Sequence, residues 1–465
     1  MDKTDKRIIK VLTALTLMFM GLVVYLTYFQ VFQASKVVNS NYNKRLWANE
    51  ESVLRGTIYD RNGSVLAYSE KTENGQTRLY PFGNLYSHVI GYSYREYGKS
   101  GLEDSYNKEL LNLYKNPIEE ITQKITGPRK NGNNLALTLD NSLQDKASKY
   151  LSGKKGSIIL MNPKTGEIYA MVSKPDFDPA TLKEDWEDIV ENQDSPFINR
   201  ASMGLYTPGS VFKIITATAA LEKGLSRSYD CKGSIVIEGY ELRDYGGNSH
   251  GSVDLKKAME VSCNSAFASM GLELGSAALR DTAQNYLFNE KIPFDIKTKD
   301  SIFPEGGMTK PELGASAIGQ GKILVTPLNM LLATSAIAND GDIVKPYLVQ
   351  KVISPEGSVL KETTPDILAT ATDALTAQTI KDMMVNVVDN GTGKNAHIRN
   401  VKVAGKTGTA ENETGKEHAW FVGFAPADDP KVAVVVVLES AGSTGGKSAA
   451  PIARDMIISA LNRIQ

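Results

Sequence analysis

Cysteine, tryptophan and histidine are scarce in this chain, at two, three and four residues among 465. Neither sign of charge is in excess, because 52 lysines and arginines meet 53 aspartates and glutamates for a formal net charge of -1. Each shortage excludes something. Without a basic surplus there is no electrostatic footprint of a nucleic-acid binder, so neither nucleic acid nor another acidic polymer is an expected partner. His88, His250, His397 and His418 show no close metal-ligand spacing, so no metal and no other cofactor is expected. Gly319-Gln320-Gly321 lacks the flanking strand and helix of a phosphate cradle and reads as a tight backbone turn. Internal repeats and low-complexity tracts are absent.

What remains is an ordinary globular composition, 42% hydrophobic and 23% charged, long enough for two or three domains. From Val11 to Phe29 no residue is charged, and Lys3, Lys6, Arg7 and Lys10 precede the run. That length can cross a bilayer, and the basic flank orients its N-terminus to the cytoplasm. The run exceeds a usual signal-peptide core, and Val31-Phe32-Gln33-Ala34-Ser35 lacks the small-x-small cleavage pattern. Residues 1–33 are therefore expected to be a retained single-pass anchor, with everything after them extracytoplasmic. Disulfides can form there, so the only two cysteines, Cys231 and Cys263, are either paired with each other or two buried thiols.

Beyond the anchor, Gln33 to Glu51 reads as a polar helical stalk. Asn62-Gly63 between Ile58-Tyr59 and Val65-Leu66-Ala67 is a strong hairpin signal. Large apolar clusters are few up to about residue 150, which predicts a small, mainly β supporting module over 34–150 without a large core. A denser domain is expected over 151–465. It should contain strands at Ser157 to Met161 and Glu167 to Val172, and a helix from Val211 closing on Gly224. Further strand signals fall at Lys402 to Ala404, Trp420 to Phe424 and Lys431 to Leu438, with an amphipathic helix from Pro451 to Ile464. Early strands, a helical middle and late strands suit an α+β fold, an antiparallel sheet with helices on its faces.

Three short motifs in order carry the chemistry: Ser210-Val211-Phe212-Lys213, Ser262-Cys263-Asn264 and Lys406-Thr407-Gly408-Thr409. Singly each is weak, since Ser-x-x-Lys recurs at 105–108, 152–155 and 358–361 and Lys-Thr-Gly at 164–166. Ser210 stands apart because Pro208-Gly209 precedes it and an apolar helix follows. Residues three apart share a helix face, so Lys213 should lie one turn behind the Ser210 hydroxyl. Val211, Phe212, Ile214 and Ile215 surround that lysine with apolar bulk, and desolvation lowers an amine's pKa. Ser210 is thus the candidate nucleophile and Lys213 its general base.

If Ser262-Cys263-Asn264 is extended, Ser262 and Asn264 face the nucleophile while Cys263 points away. Ser262 would relay a proton to the leaving amine, and Asn264 would hold a substrate amide. Lys406-Thr407-Gly408-Thr409 should be an edge strand lining the cleft, with Gly408 leaving room for a substrate backbone. Lys406 would add positive potential that depresses the pKa of Lys213, and the Thr407 and Thr409 hydroxyls would bind a carboxylate. The Ser210 and Thr409 backbone N–H groups are the candidate oxyanion hole. The second Lys-Thr-Gly, Lys164 to Gly166, sits in an expected turn and is assigned a structural role.

With these motifs in order, the chain resembles a class B penicillin-binding protein, a membrane-anchored D,D-transpeptidase. Arg55-Gly56, Asp60-Arg61-Asn62-Gly63, Gly101-Leu102-Glu103 and Tyr106-Asn107 resemble that family's N-terminal pedestal signatures. Asn162 to Gly166, Asn199-Arg200-Ala201, Gly319-Gln320-Gly321, Thr326-Pro327 and His418 to Phe424 resemble segments of its catalytic domain. The resemblance implies a serine transpeptidase fold related to β-lactamases. It implies attack by Ser210 on a peptidoglycan stem peptide ending in D-Ala-D-Ala, release of D-Ala, transfer to a neighbouring amine, and acylation by β-lactams. The roughly 120 residues between anchor and catalytic domain are few for a second enzyme domain. A separate membrane glycosyltransferase of the SEDS type is therefore the expected partner. A D,D-carboxypeptidase or β-lactamase-like hydrolase shares the motifs, and a non-catalytic β-lactam sensor or scaffold is the remaining alternative. The short pedestal leaves elongation, division and sporulation roles open.

Overall fold

A computed structural model describes residues 2–33, 53–73, 75–113, 131–411 and 415–464. The stalk expected after Gln33 lies outside these residues. The helix Lys3–Tyr28 is the one described helix long and apolar enough to cross a membrane. Leu12, Leu17, Met18 and Phe19 on it are exposed, which suits a lipid environment and not a protein core.

The expected antiparallel sheet is present, with five strands in the order Ala404–Ala410, His418–Ala425, Val432–Leu438, Gly156–Met161 and Ile168–Lys174. All four pairings are antiparallel. The run Val432 to Leu438 is buried on both faces, which is why it lacks polar alternation. Val432, Val434 and Val436 pack against Ala453 and Ile457 of the C-terminal helix, and Val435 and Val437 belong to the core that holds Leu331 on the opposite face. The Lys406 to Thr409 motif therefore lies on an edge strand, as expected.

The C-terminal helix runs Gly445–Leu461 and contains Pro451, so it starts six residues before the proline expected to open it. The reason is tertiary. A Cβ on Gly445 would stand 2.1 Å from Trp420 O and 2.4 Å from Gly408 O, so the helix begins against the sheet at a residue with no side chain.

A second sheet joins the two expected halves of the chain. Its order is Val359–Glu362, Val349–Ile353, Asn134–Leu137, Ile58–Tyr59, Val65–Thr72 and Gly75–Leu79. Four strands come from the first 150 residues and two from the later part. The Asn62-Gly63 hairpin forms, pairing Ile58 with Ala67. Leu66, Leu135 and Leu137 share one apolar core with Phe212, Leu331 and Val435, so the N-terminal module is fused to the catalytic layer. The helix Asn141–Tyr150 also lies against the C-terminal helix, through Tyr150 Oη to Asp455 at 2.8 Å and Lys146 Nζ to Ser459 at 2.5 Å.

Buried charge ties the N-terminal signatures together. Glu103, fully buried, accepts from Arg55 and from Arg78 Nε at 2.7 Å, while Arg55 Nη1 reaches Asn107 at 2.5 Å. Burial would raise the Glu103 pKa, but the two guanidiniums outweigh it and hold the carboxyl below its usual range. Glu103→Ala leaves both cations without their carboxylate, and a loss of about 3–5 kcal/mol in unfolding free energy is expected. Denaturant melts that coincide with wild type would contradict this.

Candidate active site

Local backbone chemistry places the nucleophile. Gly209 adopts φ 57°, a left-handed conformation that glycine takes at little cost, and its N–H donates to Gly319 O at 2.8 Å. Gly319 and Gly321 both sit at φ 75°, so the GQG segment is the tight turn expected of it. Ser210 lies in a 3-10 turn, Gly209–Phe212, that continues into the helix Lys213–Glu222. Positions three apart eclipse in a 3-10 turn, which brings Lys213 beneath Ser210. Lys213, Val211, Phe212, Ile214 and Ile215 are completely buried. Gly224, at φ 68°, follows the helix end as expected.

The Ser262-Cys263-Asn264 segment is not extended. The helix Leu255–Val261 stops at Ser262, which takes φ 58°, and Cys263 caps the next helix, Asn264–Asn285. Cys263 still points away, and the outer two residues still converge, but they do so across a helix-to-helix corner. Lys213 Nζ donates to Ser262 O and Asn264 Oδ1 at 2.7 Å each, and lies 3.2 Å from Ser262 Oγ. Among the described residues, the Ser210 hydroxyl makes no hydrogen bond to this amine. Asp244, buried and outside every motif, anchors the corner from behind by accepting from Asn264 N–H and Ser265 Oγ.

Lys406 Nζ donates to Ser262 Oγ at 2.9 Å and to Thr407 O at 3.1 Å. Burial lowers Lys213 to about 7 against the pull of Cys263 and Asp244. Lys406 is held well below the usual lysine range, first by burial and then by repulsion from Lys213. That repulsion is mutual, so the charge on either lysine disfavours protonation of the other. Gly408 has a close neighbour within the fold as well. A Cβ there would meet Pro208 O at 2.9 Å and Val211 Cγ1 at 3.1 Å, so the missing side chain admits the Ser210 turn.

Ser210, Ser262, Asn264, Thr407 and Thr409 line one cleft of about 430 Å³. Thr407 and Thr409 alternate onto its floor, and Thr407 Oγ1 is 2.7 Å from Thr392 Oγ1. Gly209 is close enough to Thr409 that an added Cβ would sit 2.7 Å from Thr409 O, which sets the Ser210 and Thr409 peptides side by side.

Residues 156–457 match the penicillin binding protein transpeptidase domain, and residues 55–135 match the penicillin binding protein A dimerisation domain. The chain is 33% identical to peptidoglycan D,D-transpeptidase PbpA of Mycolicibacterium smegmatis, over 97% of this chain and 98% of that one. The chain belongs to the class B penicillin-binding proteins. Stage V sporulation protein D of Bacillus subtilis is also 33% identical, over 81% of this chain and 62% of its own. Penicillin-binding protein A from M. tuberculosis, as a penicillin G acyl-enzyme complex, superposes with a TM-score of 0.81 at 31% identity, covering 89% of this chain and 100% of that one.

Several cleft residues of this penicillin-binding protein carry no motif signal. Tyr245, Thr392, Lys394 and Lys447 line the cleft and come from loops and a helix start far apart in sequence. The decoy Lys164 to Gly166 does form a surface turn, with Lys164 paired to Asp429 at 2.6 Å. Of the two alternatives for the cysteines the fold has the second, since Cys231 and Cys263 are free buried thiols. The fold also gathers Cys231, Asp244, His250 and Cys263 with ligand atoms within 4.8 Å of one another, which the spacing of histidines in the sequence does not show.

Proposed function

We propose that this protein is a serine D,D-transpeptidase that cross-links peptidoglycan stem peptides ending in D-Ala-D-Ala and is acylated by β-lactams at the same serine. The observation that carries this reading is the fully buried Lys213 amine, lowered to about 7 and bonded to Ser262 and Asn264, which line the same cleft as Ser210. Near neutrality much of that amine is free base. Its two remaining N–H bonds suffice for Ser262 O and Asn264 Oδ1, and its lone pair is then available to a hydroxyl.

Ser210 Oγ attacks the penultimate D-Ala carbonyl as its proton passes to Lys213. The oxyanion is received by the Ser210 and Thr409 N–H groups. Collapse breaks the amide C–N bond, and the departing D-Ala amine takes its proton through the Ser262 hydroxyl, which Lys406 orients as a donor. The amine of a neighbouring stem peptide then attacks the acyl-serine and regenerates Ser210. Asn264 holds the donor peptide's amide, and the Thr407 and Thr409 hydroxyls hold the terminal carboxylate, on the strand whose Gly408 lets the Ser210 turn close in. A β-lactam enters the same path, but its leaving nitrogen stays tethered and obstructs the acceptor.

Residues 1–33 serve as a single membrane anchor with a cytoplasmic N-terminus, 34–150 as stalk and pedestal, and 151–465 as the extracytoplasmic transpeptidase domain. Glycan polymerisation falls to a separate SEDS-type glycosyltransferase reached through anchor and pedestal. The test is partition of a thioester donor with a D-Ala leaving-group mimic by the full chain in detergent, with and without an acceptor D-amino acid. Transfer product should grow at the expense of hydrolysis as acceptor rises. Hydrolysis indifferent to acceptor would establish a hydrolase instead.

A further inference from the structure

Of the segments that carry the family resemblance, Asn199-Arg200-Ala201 does not line the cleft, yet its arginine meets the chain leading to Ser210 at one carboxylate. Arg200 Nε donates to Glu439 Oε1 at 2.7 Å, and Tyr206 Oη donates to the same oxygen. Both donors are buried, Arg200 at 6% and Tyr206 at 7% exposure. The other guanidinium nitrogens of Arg200 hold Asp194 O at 2.6 Å and Ser195 O at 3.2 Å, and its main-chain N–H donates to Ser173 Oγ at 2.9 Å. Tyr206 stands four residues before Ser210, and its main chain exchanges hydrogen bonds of 3.0 and 2.8 Å with Val325. Its ring meets His418 and Trp420 edge to face, with centroids 5.4 and 5.9 Å away.

Glu439 lies where the strand Val432–Leu438 hands over to the cleft wall. Its N–H donates to Lys155 O at 2.8 Å, the Ser440 N–H to His418 Nδ1 at 3.1 Å, and the Ala441 N–H to Glu417 O at 2.8 Å. The chain then reaches Thr444, Gly446 and Lys447, which line the cleft, and Gly445, whose N–H lies 3.4 Å from Thr409 Oγ1. One carboxylate therefore joins the segment that carries the nucleophile to the segment that builds part of the wall.

We propose that Glu439, through Tyr206 and Arg200, sets the distance between the Ser210 turn and the cleft wall of Thr444 to Lys447, and so positions the nucleophile for acylation. Two charge-assisted donors on one oxygen fix direction as well as length. An ion pair that served stability alone would need only Arg200. The added Tyr206 hydroxyl is what ties the carboxylate to the chain entering Ser210. Burial, and then the Glu439 charge, hold that hydroxyl well above the usual phenol range, so it stays a donor. Arg200, Tyr206 and Glu439 are positioning residues, since none touches the reacting atoms. Displacing the Ser210 hydroxyl costs rate before it costs affinity, because noncovalent binding falls to Asn264, Thr407 and Thr409.

The inference rests on Ser210 being the acylated serine. Its test is stopped-flow acylation of the full chain in detergent by penicillin G, resolved into the dissociation constant of the noncovalent complex and the acylation rate constant. Tyr206→Phe keeps the ring against His418 and Trp420 and removes only the hydroxyl, so the fold is retained. Its acylation rate constant should fall by about 10- to 100-fold, the scale of a small misplacement of reacting groups. Its dissociation constant should stay within about threefold of wild type, the signature of an interaction that acts on the chemical step. Glu439→Gln keeps an oxygen for both donors and should recover most of the rate, whereas Glu439→Ala should lose at least as much as Tyr206→Phe. A purely structural role would lower the melting temperature without separating the two constants. An acylation rate constant in Tyr206→Phe within about twofold of wild type overturns the inference, as does a loss confined to the dissociation constant. Wild type that forms no adduct overturns the serine transpeptidase reading itself and this inference with it.

Discussion

Lys213→Met slows acylation of Ser210 by a β-lactam by about 10²–10⁴-fold, the range expected when a positioned general base is removed. Methionine keeps most of the length and the apolar stem, so packing against the surrounding core is retained. The wild-type amine is costly to the fold, because it is completely buried and its pKa falls to about 7. Removing it relieves that desolvation and leaves Ser262 O and Asn264 Oδ1 facing a cleft that water can enter. The folded state should therefore survive, which a melt of the variant checks. An acylation rate within threefold of wild type would show that the proton goes elsewhere.

Ser210→Ala abolishes the covalent adduct altogether. The case needs argument because Ser262 is a geometric rival. Its hydroxyl lies 3.2 Å from Lys213 Nζ, and it lines the same cleft as Ser210. Two features favour Ser210. The Ser262 hydroxyl already accepts from Lys406 at 2.9 Å, which draws off its lone-pair density and suits it to pass protons on. Ser210 instead lies in the helical turn Gly209–Phe212, whose Gly209 packs against Thr409 O, and the Ser210 and Thr409 N–H groups are the proposed receivers of a developing oxyanion. Intact mass after penicillin treatment should show a stable adduct on wild type, a slower-forming one on Ser262→Ala and none on Ser210→Ala. An adduct of full yield on Ser210→Ala would exchange the roles of the two serines.

The sequence carried the catalytic constellation where chemistry and local periodicity coincide. The spacing of Ser210 and Lys213 needs only one helical turn, and the Lys406 strand needs only alternation, so both were legible. The Ser262 corner was read as extended because Ser-x-Asn has no intrinsic backbone signature. Convergence there depends on Ser262 accepting a left-handed φ, which tertiary contacts with Lys213, Lys406 and Asp244 stabilise. Gly408 and Gly445 illustrate the same limit. A glycine announces close approach, but which neighbour approaches is set by the fold, and here it is Pro208 O for one and Trp420 O for the other. Fusion of the N-terminal module with strands 349–353 and 359–362 was invisible for the usual reason, that strand pairing across two hundred residues leaves no local trace. The Cys231, Asp244, His250 and Cys263 cluster was missed because its members are spread over thirty-three positions, far from any short ligand motif.

The central claim is that a buried lysine, neutral near physiological pH, activates Ser210. Its most direct test is the second-order rate of Ser210 acylation by a β-lactam whose own charge is constant over the range, measured from about pH 5 to pH 9. A group whose pKa is lowered to about 7 must lose its proton to act as base, so the rate should climb roughly tenfold per pH unit on the acid side, bend near pH 7 and level off above it. The Lys213→Met profile should be low and without that bend. A wild-type rate that is flat across neutrality, or still climbing past pH 9 as for an ordinary exposed lysine, would contradict the account.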